Sequence, residues 1–239
     1  MIKLLSFGAG VNSVALLGLA VQGELEFDYC IYAETGGEYP ETDRWVEEFA
    51  KPICKELGVP FIEVKGGYNG FEDLYEHSIA HKIFPFRTNR FCTTDFKRKP
   101  IEKWVKENIE DEYITIIGFA WDERKRAVRM GTELYEYPLI DKHITRAGCK
   151  RIIRSLGWKM PVKSGCWFCP FQSKKEYKKL FDTHPNLYAK AQTLEENSSL
   201  YPKNTIMGDI SLKELKTRRG LNDGKTQQNL EGECAFCCL

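Results

Sequence analysis

Apolar residues come in short bursts separated by small or charged ones, and the length and spacing of each burst predict an element. Ile2–Phe7 is an apolar run of strand character, followed by the small-residue stretch Gly8-Ala9-Gly10-Val11-Asn12-Ser13. Val14–Val21 then reads as a buried helix. Phe27–Ala33 is a second strand, ending at the turn residues Glu34-Thr35-Gly36-Gly37. Trp45, Val46, Phe49, Ile53 and Leu57 fall at helical spacing and predict a helix over Thr42–Leu57, with Thr42 at its N-cap. Val59–Val64 and Tyr113–Phe119 are further strands; the second is nearly all apolar, as expected of a strand covered on both faces. Strands alternating with helices predict an α/β fold built on a mainly parallel sheet. In such sheets ligands bind at the carboxyl ends of the strands, where Gly8–Ser13, Glu34–Gly37 and Gly118–Glu123 fall.

From about Asp141 the character changes. The chain to Arg219 is rich in Lys and Arg, with helices expected at His143–Leu156, Ser173–Thr183 and Leu212–Arg218. Asn222–Glu233 is polar and reads as a linker to a cysteine-bearing end. The expected organisation is therefore a phosphate-binding α/β unit over 1–140, a helical, basic, cysteine-containing region over 141–221, and a flexible Cys-rich tail over 222–239.

Composition narrows the class. With 239 residues, 42% hydrophobic, 29% charged and a formal charge of +1, the chain can bury a core and is not disordered, fibrous or a small stapled scaffold. Leu4–Val21 is broken by Ser6, Gly8, Gly10, Asn12 and Ser13, so no membrane span is expected, and no signal peptide is recognised. Nine cysteines, an odd count, fit a disulfide framework poorly and suggest a reducing, cytoplasmic setting. Cys30 and Cys54 sit in apolar stretches; Cys92, Cys149, Cys166 and Cys169 group in the middle, and Cys234, Cys237 and Cys238 at the end. Glu24–Glu48 is acidic, while Arg87–Lys99, Arg124–Arg129 and Lys142–Lys179 are basic. The basic lip suits nucleotide phosphates, or a tRNA or DNA acceptor docked through its backbone.

Two constellations carry chemistry. A strand, then Ser6-Phe7-Gly8-Ala9-Gly10-Val11-Asn12-Ser13, then a helix, is a phosphate cradle: small residues let backbone N–H groups approach an anion, and the helix dipole adds to them. It is neither GxxxxGK[ST] nor GxGxxG. Cys166 and Cys169, two residues apart between Gly165 and Pro170, form a chelating knuckle able to hold zinc or an iron–sulfur cluster. Two further thiolates would close such a site; Cys149 is the expected fourth ligand, or alternatively an ordinary buried cysteine. His77 and His81 would share a helix face but lack an acidic partner, so no metal is assigned there.

The motifs also carry a resemblance. SFGAGVNS resembles the PP-loop, S-x-S/G-G-G-x-D-S, of the adenine nucleotide alpha hydrolase superfamily. Glu34-Thr35-Gly36 with Pro40-Glu41-Thr42 is similar to the D-T-G…P-E-T segment of its PAPS reductase-like branch. Arg90-Phe91-Cys92 with Lys97 and Pro100-Ile101 is similar to R-x-C…K…P-I; Gly118, Glu123 and Arg126 to G-x(4)-E-x-x-R; and Tyr137-Pro138-Leu139 to Y-P-L. Gly165-Cys166-Trp167-Phe168-Cys169-Pro170 matches the G-C-x-x-C-P of iron–sulfur members. Two departures stand out, Asn12 where the loop usually has Asp and Ala9 where it has Gly.

The resemblance implies a Rossmann-like (HUP-type) parallel sheet flanked by helices, with a mainly helical, cysteine-containing C-terminal part. ATP, or in the reductases PAPS or APS, would rest on Ser6, Phe7, Gly8, Ala9, Gly10, Asn12 and Ser13, with the adenosine near Glu34, Thr35 and Gly36. Mg2+ would accompany ATP. Arg90, Lys97, Glu123 and Arg126 would serve catalysis, and Cys92 would pair with Cys166 and Cys169 around a [4Fe-4S] cluster, alternatively Zn2+. The expected activity is ATP-dependent adenylation of an acceptor followed by sulfur transfer, the sulfur donor being unspecified. Two alternatives stand beside it. One is a sulfonucleotide reductase with Cys234 as nucleophile, since Glu233-Cys234 resembles that branch's E-C-G-x-H segment. The other is a non-catalytic, metal-stapled module binding nucleotide or nucleic acid. The sequence leaves room for a homodimer.

Overall fold

The computed structural model describes residues 1–68, 70–198 and 205–217. Five strands, β1 (Ile2–Phe7), β2 (Tyr29–Glu34), β3 (Phe61–Lys65), β4 (Tyr113–Ile117) and β5 (Tyr135–Glu136), form one parallel sheet in the order β3-β2-β1-β4-β5. The expected α/β fold with a parallel sheet is therefore observed. β1 lies in the middle, Leu4 facing Tyr29 on one side and Thr115 on the other. The chain leaves β1 towards β2 on one side and returns to β4 on the other, so the crevice between β1 and β4 is the topological switch point where such sheets bind ligands.

The helices are α1 (Val11–Val21), α2 (Pro40–Trp45), α3 (Lys51–Glu56), α4 (Leu74–His81), α5 (Phe91–Thr93), α6 (Lys99–Asn108), α7 (Arg124–Met130), α8 (Pro138–Asp141), α9 (Arg146–Ser155), α10 (Lys174–Thr183), α11 (Pro185–Asn197) and α12 (Leu212–Thr217). α1 begins three residues ahead of the apolar run that announces it, because Gly10 can turn straight into the helix. Two π-helical segments, Val46–Ala50 and Thr94–Arg98, join α2 to α3 and α5 to α6. Each ends just before a proline-bearing turn. Pro52 and Pro100 have no N–H to give the carbonyl four residues back, and the residue before each, Lys51 and Lys99, donates to Val46 and Thr94, five residues back. The widened turn thus follows from a missing donor.

Packed layers cover both faces of the sheet, and a further core lies beside it. One face, with Leu5, Phe7, Cys30 and Ile116, packs on Leu16 and Leu17 of α1, Ile53 and Cys54 of α3, and Cys149 and Ile153 of α9. The other face, with Leu4, Ile31 and Val64, is covered by Val105 of α6. A separate core joins Leu74 of α4, Phe84, Phe96, Trp167 and Phe168 to Tyr177, Leu180, Tyr188, Leu194 and Leu212 of α10 to α12. α9, placed by composition in the 141–221 region, belongs with the sheet, whereas α10 to α12 build the second core. Among the described residues no helix is long and apolar enough to cross a membrane.

α9 reaches the sheet core because Gly18 of α1 lets it approach: a Cβ there would lie 2.7 Å from Ile152 Cγ2 and 3.1 Å from Leu156 Cδ1. Gly18→Leu is expected to lower stability by about 1–3 kcal/mol through overpacking, read as a lower urea midpoint at unchanged slope. An unchanged midpoint would contradict this close packing.

Candidate functional site

The first loop is shaped by its small residues. Ala9 sits at φ 51°, a left-handed conformation uncommon for a residue with a side chain. Ser13 Oγ accepts from the Gly10 N–H and donates to the Gly10 carbonyl, both at 3.1 Å, which closes the first turn of α1. At the end of β4, Gly118 comes so close that a Cβ would stand 3.2 Å from the Ser13 backbone nitrogen. Any larger residue would crowd the amide edge on which an anion would rest.

Beside this loop Asn12 Nδ2 donates to Glu123 Oε2 at 2.7 Å, and the Ala120 N–H donates to the same oxygen at 3.3 Å. Arg126 ion-pairs with Glu123 Oε1 and lies 4.2 Å from the centre of the Phe119 ring. The sheet thus brings together Asn12, Glu123 and Arg126 at its switch point. Residues 6–13 contain no Asp or Glu, and both oxygens of Glu123 are already engaged. The residues present do not fit a magnesium ligand set at this loop.

The second loop, after β2, is held from inside. Thr35 is fully buried; its N–H and hydroxyl donate to the two oxygens of Glu38, at 3.0 and 2.7 Å. On this loop sits the cysteine knuckle. Trp167 N–H donates to the Gly37 carbonyl at 2.9 Å, Glu38 and Cys166 form an antiparallel bridge, and Thr35 Oγ1 lies 3.7 Å from Cys166 Sγ. Gly37 is obligatory, since a Cβ would approach Cys166 Sγ to 2.9 Å. Upstream, Ser164 lies over the first loop, its Oγ 2.5 Å from where a Cβ on Gly10 would stand. The knuckle is braced by Gln172, which donates to the Cys166 carbonyl and accepts from Tyr39 Oη, both at 2.8 Å, and by Tyr177 Oη donating to the Cys169 carbonyl at 3.0 Å.

Burial pushes the Cys166 thiol well above its ordinary value; Glu38 adds to this, Lys97 opposes it, and Cys169 and Cys92 add again. Lys97 belongs to the second π-helical segment and Cys92 to α5. Lys97 also acts on buried Tyr32 at the end of β2. Arg90 lies 5.2 Å and Arg87 5.9 Å from the centre of the Phe171 ring, and Arg87 Nε donates to the Pro170 carbonyl at 3.1 Å.

Cys149 is elsewhere. It is fully buried in the sheet core, and burial pushes its thiol up to about 12. Cys166 and Cys169 share one turn and Cys92 acts on the Cys166 thiol, whereas Cys149 is a core residue. Among the described residues no group of three or more His, Cys, Asp or Glu is arranged to hold a metal ion. Thiols are soft donors of the kind that zinc and iron–sulfur clusters take. His77 is buried against Tyr68, Phe71, Phe91, Phe96 and His81, a packing role. Cys234, Cys237, Cys238 and the linker lie outside the described residues.

A cleft opens on the knuckle, with Cys166 and Cys169 between Tyr39, Phe171 and Leu180. Glu41 meets His184 at 2.8 Å on its wall, and Lys163 meets Glu176 at 2.8 Å. No residue of the first loop lines it. Ser164, Glu38, Gln172 and Arg87 escaped the sequence motifs; each acts through a contact with a residue far along the chain, which no local spacing records.

Near the second loop, burial and the charges of Glu38, Glu34 and Glu47 push Asp43 up from 3.8 to about 6. A carboxyl raised in this way contributes stability that is full below its unfolded value and lost as pH rises through its folded one. Asp43→Asn is therefore expected to gain stability on the native chain between about pH 4 and pH 7, measured by paired thermal melts. Equal differences at the two pH values would contradict the shift.

No protein-family model matches the chain. An uncharacterized protein of Methanocaldococcus jannaschii is 24% identical over 203 residues, covering 78% of this chain and 40% of that one. The chain thus spans about two fifths of the length of the curated relative it matches. Among solved structures, the U34-tRNA thiolase NcsA from Methanococcus maripaludis with its [4Fe-4S] cluster aligns at a TM-score of 0.49 and 18% identity, over 99% of this chain and 80% of that chain.

Proposed function

We propose that the chain is a PP-loop enzyme that activates an acceptor with ATP and then delivers sulfur to it. One observation carries this reading. The segment bearing the thiols sits on both loops at the carboxyl edge of the sheet, Ser164 over Gly10 and Cys166 against Thr35 and Gly37. A nucleotide phosphate on the first loop and a sulfur at the knuckle would then be neighbours.

In this reading the N-terminus of α1 and the amide edge of Gly8–Ser13 hold the α-phosphate. An acceptor oxygen attacks that phosphorus, and pyrophosphate leaves with its electron pair. Arg90, just ahead of α5, and Lys97, in the turn that follows α5, would neutralise the leaving charge. Sulfide-level sulfur from the donor, arriving on the Cys92, Cys166 and Cys169 side, would then attack the adenylated carbon, forming the C–S bond as the C–O bond breaks and AMP leaves with its electron pair. A [4Fe-4S] cluster, or zinc, held by these three thiols would supply a soft-metal site for sulfur. The cleft beside Cys166 and Cys169 offers the second substrate a route that avoids the nucleotide. A tRNA acceptor suits the basic lip around Arg87, Arg90 and Arg124.

A sulfonucleotide reductase, with Cys234 as nucleophile, is the second reading. The loop without a free carboxylate favours it for APS, whose phosphosulfate carries less charge than the triphosphate of ATP and needs less counter-charge.

Calorimetric titration of the anaerobically purified chain with ATP, APS and PAPS tests both. ATP is expected to bind, and Lys97→Ala to weaken it about tenfold, the effect of losing one charge-assisted contact of roughly 1.5 kcal/mol. Binding of APS or PAPS without ATP would transfer the assignment to the reductase; binding of none would overturn both readings.

A further inference from the structure

The carboxylate beside the nucleotide loop is engaged at both of its oxygens. Glu123 Oε1 is taken by Arg126, and Oε2 by Asn12 Nδ2 at 2.7 Å and the Ala120 N–H at 3.3 Å. Its neighbour Asp122 accepts from the Arg146 N–H at 2.7 Å, and Glu38 is spent on Thr35. Asn12 is buried, 8% exposed, and its own Oδ1 has no partner. An aspartate at this position would set one carboxylate against another at hydrogen-bond distance. That arrangement is stable only with a proton or a cation between the two. The amide removes the need for either.

We propose that the nucleotide loop carries its phosphate-bearing ligand without a divalent cation held by the protein, and that Asn12 is the positioning residue that sets this property. Any magnesium arrives and departs on the phosphates of the ligand alone. The loop offers donors (amides and the α1 N-terminus), and its one neighbouring carboxylate is paired with Arg126. It therefore gains nothing from a second cation, and a metal-free polyanion is at least as good a ligand. This rests on the nucleotide reading above, but the ion-binding half of the test does not.

Two measurements on the full chain decide it. The first is Mn2+ titration by electron paramagnetic resonance without nucleotide. The native chain is expected to show no Mn2+ site that Glu123→Gln removes, and Asn12→Asp to gain one. A native site lost in Glu123→Gln would overturn the proposal whether or not nucleotide binds. The second is the ATP dissociation constant in excess EDTA against excess Mg2+. The native values are expected to agree within about threefold, whereas Asn12→Asp should bind about tenfold or more tightly with Mg2+. A native chain that loses tenfold in EDTA would overturn it. Thermal melts of both variants establish that they are folded, and the native comparison stands without them. Absence of ATP binding under both conditions would count against the nucleotide reading, leaving the Mn2+ result to judge Asn12.

Discussion

The seating of the cysteine turn on two glycine-bearing loops is the constraint on which the rest of the site depends. Gly10 and Gly37 leave room for Ser164 and Cys166; a Cβ on Gly10 would displace the Ser164 hydroxyl, and one on Gly37 would press on Cys166 and Phe168. Thr35 and Glu38 lock the second loop from inside, so the turn rests on a surface that does not yield. Because the loops terminate adjacent strands, β1 and β2, sheet register fixes the distance between the phosphate cradle and the thiols. Function in this account is a matter of where two independent pieces of backbone are forced to meet.

Helix defects serve the same end. Pro100 deprives the helix of one donor, the turn before it widens, and Lys97 lies in that widened turn and acts on Cys166 and Tyr32. Arg90 and Cys92 precede it on α5, so one irregular helix start supplies a cation and a thiol to the same region. Beneath it, α10 to α12 form a second core that holds the far side of the knuckle through Tyr177 and Gln172.

Much of this was legible in the sequence. Apolar runs located β1, β2, β3 and β4 within a few residues, and the small residues between Phe7 and Val14 marked the first loop, because strand burial and tight turns leave local signatures. The grouping of Cys92 with Cys166 and Cys169 came from motif resemblance; in the structure Cys166 and Cys169 share one turn, and Cys92 acts on the Cys166 thiol. Cys149 was expected to join them. Its spacing from Cys166 is compatible with ligation, but Cys149 and Ile153 lie on the buried face of α9, and that face is turned into the sheet core by the close approach at Gly18. Helices α4, α6 and α11 went unannounced, since their apolar residues are few and interleaved with charge. The capacity of Glu123 was equally invisible: its partners Asn12, Ala120 and Arg126 converge only once β1 and β4 pair.

Iron and acid-labile sulfide analysis after anaerobic purification, run on the native chain, Cys149→Ser and Cys92→Ser, tests most directly whether Cys92, Cys166 and Cys169 form the sulfur side of the site. The account predicts bound iron and sulfide in the native chain, retained in Cys149→Ser and lost in Cys92→Ser. Loss in Cys149→Ser with retention in Cys92→Ser would contradict it.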